Sequence, residues 1–309
     1  MAERLERAVG SLSGAGRVRI ISHHDADGIV SAAILATCIH RQGKGFHVSL
    51  LKSMDEAVAS QLAEEKNEAV IVSDMGSGEL ELLEGVGSKV VILDHHKVQR
   101  DSESLIQINP HLYGIDGGDV LCGSMLTFLF AIATDDKNSD LLGPAVAGAI
   151  ADKQHLGGFK DVNARIVDDA KARGLLSARK GLLLEGPAGE AIASSVDPYF
   201  GFDGAAGLEE RLSGMGIGPG DRIEELEPGR AQALTSFLAA RLAERGARSE
   251  ALENLVGDVY RFRGMEGSLN SFSEDLNACG RMREEALGLR LCLGDCNAPE
   301  KIRKLRQGY

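Results

Sequence analysis

Residues 18–28 read Val18-Arg-Ile-Ile-Ser-His-His-Asp-Ala-Asp-Gly28, and the fold can be worked out from this stretch. A short run rich in β-branched residues, Val18 to Ser22, breaks off into two histidines and two aspartates. Gly28 then opens a helical stretch that continues to Gln42. The pattern recurs: Phe46 to Leu51 predicts a second strand, and Asp55 to Glu65 a second helix. Ala69 to Ser73 and Val90 to Leu93 are continuous apolar runs, as in strands buried on both faces. Strands alternating with helices predict an α/β fold with a mostly parallel sheet. Ser124 to Ala133 and Leu141 to Asp152 are consecutive predicted helices, and a third follows the Gly157-Gly158 break.

Beyond about residue 175 the texture changes. Gly181 to Gly189 and Gly201 to Gly220 are glycine-rich and punctuated by Pro187, Pro198 and Pro219. A division into residues 1–178 and a smaller α/β part, residues 179–309, is expected, with the active-site cleft between them. Within the second part, Pro228 to Arg245 predicts an amphipathic helix opening with proline. Leu255 to Phe262 and Leu289 to Leu293 predict strands, and the tail from Pro299 a basic helix.

Composition narrows the function. Of 309 residues, 46 are acidic and 34 basic, a formal charge of −12, which argues against a surface coated for long duplex DNA. With no Trp, four Tyr and nine Phe, an extended base-stacking platform is not expected. Any nucleic acid would be held mainly by its backbone. The charged start, Met1-Ala-Glu-Arg, lacks the apolar core of a signal peptide, and Met125 to Ala133 is too short to span a bilayer. Five cysteines without a CxxC pair read as reduced thiols. A cytoplasmic protein is expected.

The chemistry sits where predicted strands end. Strand one runs into His23-His24-Asp25-Ala26-Asp27, strand three into Asp74, and strand four into Asp94-His95-His96. In an open parallel sheet these ends share one edge, where ligands bind. Alone, an Asp-x-Asp is commonly a helix cap, a His-His pair incidental and Asp74 a turn residue. Together they would repel and raise one another's pKa unless divalent cations intervene, and mixed Asp/His donors suit Mn²⁺.

These motifs resemble the DHH phosphoesterase superfamily, whose name triplet stands here as Asp94-His95-His96. Its first motif resembles His24-Asp25-Ala26-Asp27-Gly28, its second Asp74, and its fourth Asp152. The resemblance implies two divalent metal ions, Mn²⁺ or else Mg²⁺, held by Asp25, Asp27, Asp74, His95 and Asp152, with Asp74 bridging. It makes His96 a catalytic contact to substrate phosphate, and Asp94 and His24 supporting residues. The histidine that some members carry four residues before the first aspartate is replaced by Ile21, so no ligand role passes to His23. The second part resembles the phosphate-gripping DHHA1 domain, its glycine-rich loop matched by Leu276-Asn-Ala-Cys-Gly-Arg-Met282 after Gly267-Ser-Leu-Asn270. This stretch is similar to the archaeal RecJ-like branch, which includes the GINS-associated nuclease. Ser268, Asn270, Asn277, Gly280 and Arg281 are thereby expected to contact substrate phosphate.

The expected activity is a metal-dependent, RecJ-like exonuclease or oligonucleotidase that takes single-stranded DNA, RNA or short oligonucleotides and releases nucleoside monophosphates. Its rivals are a hydrolase of pyrophosphate, a nucleotide or a dinucleotide, and a replisome scaffold binding the GINS complex with little activity. His40, His47 and His111 are isolated, His155 is a candidate for approach to the metals, and Ser124 reads as a helix cap or phosphate contact. Cys292 and Cys296 lack partners for a zinc site.

Overall fold

In the computed structural model, residues 1–307 are described, apart from 197, 203, 204, 250, 251 and 253. Strands β1 (Arg17–His23), β2 (Gly45–Leu51), β3 (Ala69–Ser73), β4 (Lys89–Leu93) and β5 (Ile106–Ile108) form one sheet in the order β2-β1-β3-β4-β5. All neighbours are parallel, and Ser22 pairs with Ser73, which pairs with Leu93. Because those three positions are in register, everything that follows them leaves from one edge.

Successive side chains in each strand point to opposite faces, and both faces are buried. Ile20, Ile71, Val91 and Leu93 face one core, packed by α1 (Ala2–Ser11), α2 (Ala26–Arg41), α5 (Gly123–Thr134), α6 (Leu142–Ala151) and α7 (Asp161–Ala172). Ile21, Val70, Val72, Val90 and Ile92 face a thinner one, closed by α3 (Glu56–Glu65) and α4 (Leu80–Glu84). Helix α2 is buried on nearly every side, which its almost continuous apolar sequence requires.

Strand β6 (Leu176–Leu182) pairs antiparallel with β7 (Val256–Phe262), and position 178 lies inside β6. Between them, α8 (Ala188–Ala193), α9 (Ala205–Gly214) and α10 (Pro228–Glu244) build a separate core around Phe200, Leu212, Leu234 and Leu238. The chain then returns: Leu269, Leu276 and Cys279 of α11 (Leu269–Arg281), with Ala298 and Ile302 of α13 (Ala298–Gln307), belong to the first core.

Two local expectations are corrected. Leu289 to Leu293 is not a strand; it falls mainly in α12 (Glu285–Cys292). The alternation Leu287, Leu289, Leu291, Leu293 imitates a strand, but Gly288 lets this helix sit against Ile29 and Cys279, where a Cβ would lie 3.2 Å from each. Leu276 to Arg281 is helical rather than a glycine-rich loop. Gly280 is there because a Cβ would come within 3.0 Å of the His24 carbonyl, so α11 packs directly on the first motif.

Leu276 is fully buried in the first core. Leu276→Ala should therefore cost about 2–5 kcal/mol, read as a lowered urea midpoint at unchanged slope, with loss of the N-terminal packing and not of the second core alone.

Candidate active site

The register of the sheet delivers the site. Asp25 caps α2, its Oδ1 accepting from the Gly28 amide at 3.0 Å, and Gly28 has no room for a Cβ beside the His23 carbonyl. Asp74 follows β3 in the left-handed region (φ 56°), uncommon outside glycine, and its amide donates to the Leu93 carbonyl at 2.8 Å. Asp27 Oδ1 accepts from the Ser124 amide at the N-terminus of α5 (3.0 Å), where the helix dipole favours a carboxylate. Asp152 sits at the C-terminal end of α6. Two glycines allow this crowding: a Cβ on Gly123 would lie 2.7 Å from Asp74 Oδ1, and one on Gly148 2.7 Å from Asp27 Oδ1.

His95 Nδ1 meets the Gly117 carbonyl at 2.9 Å. A carbonyl only accepts, so Nδ1 carries the proton and Nε2 is left pointing at the carboxylates. Nε2 stands 3.0 Å from Asp74 Oδ1, 3.5 Å from Asp152 Oδ2 and 3.9 Å from Asp27 Oδ2. Both Asp74 oxygens and Asp27 Oδ2 are buried without a hydrogen-bond donor. Lone pairs thus converge, and only a proton or a cation reconciles them. In the cation-free protein it is a proton. Burial and the neighbouring Asp27, Asp25 and Asp152 push Asp74 well up, and burial together with Asp27 pushes Asp152 up to about 8. Burial pulls His95 down, but Asp27 and Asp152 outweigh it and hold the imidazole above its usual value.

Asp94 works differently. Its Oδ1 accepts from the His95 amide (2.8 Å), the His96 amide (3.2 Å) and His96 Nδ1 (2.8 Å), and its Oδ2 from the Ser77 amide (2.9 Å). Burial would raise its pKa, but His96 and these donors hold it down at about 2. His96 is left with Nε2 outward on a half-exposed ring, 56% accessible. A polar scaffold supports the turn: Gln107 and Asn109 both donate to Ser77 Oγ (3.0 and 2.9 Å), Asn109 also donates to the His96 carbonyl (2.9 Å), and Gln154 donates to the Gly117 carbonyl (2.8 Å). These residues have no sequence motif: Gln107 and Asn109 lie in and after the short β5, and Gln154 follows α6.

Among the described residues, three groups have ligand atoms close enough to hold a cation: His23, Asp25 and Asp74; Asp74, His95 and His96; and Asp27, Cys122 and Asp152. Asp74 is shared by two of them. His23, given no role from sequence, lies with Nδ1 2.8 Å from Asp25 Oδ2, while burial of Asp25 is outweighed by this histidine, which holds its carboxyl near 2. His24 instead turns toward Glu285, 3.9 Å away.

Beside Asp152 a cavity of about 170 Å³ runs between Lys153, His155 and the α11 face. Asn277 and Arg281 open onto it. Among the other residues expected at phosphate, Asn270 also lines the cavity while accepting from the Tyr260 amide (2.9 Å), Ser268 caps α11 and donates to Glu185 (2.5 Å), and Gly280 is the packing contact to His24. His155 faces the same cavity, its pKa lowered to about 4 by burial.

Residues 17–151 match the DHH family, N-terminal domain. The uncharacterized protein MJ0831 of Methanocaldococcus jannaschii is 30% identical over 95% of this chain and 68% of its own length. The fold is similar to the manganese-bound crystal structure of exonuclease RecJ (18% identity, TM-score 0.56, 98% of this chain and 66% of that one). It is similar also to CDC45 from Entamoeba histolytica (11% identity, TM-score 0.69, 99% of this chain and 73% of that one). The chain thus spans about two thirds of the length of these proteins. It belongs to the DHH family of phosphoesterases. Its fold is the one seen in exonuclease RecJ and CDC45.

The convergence of carboxylates has a measurable consequence. A carboxyl whose pKa is raised on folding binds its proton more tightly in the native state, so stability falls as pH rises from the unfolded value toward the folded one. In EDTA the protein should lose stability between about pH 4 and about pH 8, the latter set by Asp152. Asp74→Asn should stabilise the EDTA-treated protein at neutral pH by about 1–3 kcal/mol while abolishing the stabilisation that Mn²⁺ gives the native chain. Thermal unfolding with and without Mn²⁺ checks both.

Proposed function

We propose that the protein is a divalent-metal-dependent phosphodiesterase that shortens single-stranded DNA, RNA or short oligonucleotides from one end, releasing nucleoside monophosphates. The observation that carries this reading is the bare His95 Nε2 held 3.0 Å from a buried, donor-less Asp74, an arrangement suited to cations. Asp25, Asp27, Asp74, His95 and Asp152 would hold two ions, Mn²⁺ or Mg²⁺, and His23 lies close enough to Asp25 to join them. Bound there, the ions would acidify a water toward a pKa of about 7 and offset charge developing on phosphorus.

The protein's own groups do the positioning. Asp94 orients His96 so that Nε2 can donate to a substrate phosphate, and Asn277 and Arg281 offer donors from the cavity beside Asp152. In this reading residues 1–178 carry the ion-holding groups and residues 179–309 the phosphate grip. A net charge of −12 leaves little for long-range attraction of duplex DNA, so cavity width and backbone contacts do the selecting. RecJ, similar in fold, is an exonuclease seen with manganese, which favours this substrate class over pyrophosphate. The likeness to CDC45 favours a second reading, a replisome scaffold that could meet the GINS complex. Retention of every expected carboxylate speaks for catalysis.

Time courses on end-labelled DNA and RNA oligonucleotides with Mn²⁺, Mg²⁺ or EDTA decide. Stepwise loss to mononucleotides, abolished by EDTA and by Asp74→Ala, is expected. Faster release of orthophosphate from pyrophosphate would favour a small-molecule phosphatase, and no turnover under any metal would favour the scaffold.

Arg281 provides a separate test. A charged hydrogen bond to phosphate is worth roughly 1.5–3 kcal/mol, so Arg281→Ala should lower kcat/KM about 10- to 150-fold with Mn²⁺ content unchanged. Arg281→Lys should recover only part, because the planar two-pronged grip is lost.

A further inference from the structure

Cys122 is fully buried, and its sulfur lies with carboxylate oxygens of Asp27 and Asp152 such that all three are within 4.8 Å of one another. A buried thiol is ordinarily a small apolar filler, but several features set this one apart. It occupies the cap position of α5 without its side chain making a capping bond. Its side-chain hydrogen-bond contact is Ser124 Oγ at 3.3 Å, and that hydroxyl already donates to the Ala145 carbonyl (3.0 Å), so the thiol is the donor; the Met125 amide also approaches the sulfur, which keeps a further lone pair. Beside it stands Asp27 Oδ2, on a residue 1% exposed, buried and without a donor of its own. Gly123 and Gly148 hold this corner closed, since a Cβ on either would strike Asp27.

We infer that Cys122 is a sulfur ligand to the metal ion held by Asp27 and Asp152, which makes the two halves of the centre chemically unequal. This rests on the metal-centre reading above. One half, around His23, Asp25, Asp74 and His95, offers nitrogen and oxygen; the other offers two carboxylates and a sulfur. As the sulfur–metal bond forms, the S–H bond breaks and its proton is released to solvent, so the sulfur binds as thiolate. Hard ions such as Mg²⁺ gain little from sulfur, whereas Co²⁺, Zn²⁺ and Cd²⁺ gain much. The sulfur half is thus the one from which soft ions are hardest to displace.

The test is cobalt substitution of the full chain, read by absorption rather than turnover. Native protein loaded with Co²⁺ should show visible d–d bands and, in addition, an intense near-ultraviolet sulfur-to-cobalt charge-transfer band. Cys122→Ser and Cys122→Ala should keep the d–d bands and lose the charge-transfer band. In parallel, Cd²⁺ affinity by equilibrium dialysis should fall at least about 10–100-fold in Cys122→Ser, with Mn²⁺ affinity changed much less. Cobalt bound with d–d bands but no charge-transfer band in the native chain would overturn the sulfur assignment alone. So would a band that survives in Cys122→Ala, which would place the sulfur elsewhere. Absence of any cobalt binding by the native chain would overturn the metal-centre reading together with the inference. Should Cys122→Ala fold poorly by far-ultraviolet circular dichroism, Cys122→Ser, which nearly conserves volume, carries the comparison.

Discussion

Everything in this molecule is arranged around the mutual repulsion of acids brought to one point. Asp25, Asp27, Asp74 and Asp152 arrive from α2, β3 and α6, and burial of Asp27 and Asp74 removes the water that would screen those two. Such a cluster is expensive for a fold, and the surrounding structure is shaped to tolerate it. A helix N-terminus steadies Asp27, a histidine steadies Asp25, and a left-handed backbone places Asp74 where it cannot turn away. Asp94, by contrast, is fully satisfied by four donors and serves as an anchor. The same residue type thus plays opposite parts a few ångströms apart, and the count of donors around each decides which.

The strand-rich half of the fold was legible because its physics is local. A run such as Ala69 to Ser73 has no polar face to show, which only a doubly covered parallel strand explains. The places of Asp25, Asp27, Asp74 and Asp94 after those runs could be read, since parallel register sends all strand ends to one edge, whereas Asp152, at the end of α6, came only from the family resemblance. What could not be read was set by long-range packing. The alternating leucines around Gly288 look like a strand until α2 and α11 are in place. Gln107, Asn109 and Gln154 look like any surface amide until Ser77 and Gly117 are brought opposite them. Cys122 has no neighbours in sequence that would mark it; its acidic companions lie far away along the chain.

Segregation of polar work also explains the glycines. Gly148 lies inside α6, where glycine costs roughly 0.5–1 kcal/mol against alanine, and Gly123 opens α5, yet no larger residue fits beside Asp27 at either position. Helix stability is given up locally so that α5 and α6 can close over the acids.

The return of the chain to its first core sets the mechanics of the cavity. Arg281 rides on α11, and α11 is pressed through Gly280 against the backbone of His24 and Asp25, so the helix that carries Arg281 packs as one unit with the first motif. The opposite wall, Leu183 to Val196, belongs to the loop-and-helix unit that β6 and β7 carry, with a core of its own. The cavity therefore lies between two separately packed walls. In the proposed reading, the span from a phosphate held by Arg281 to the acids would be a built-in ruler, indifferent to the identity of the base.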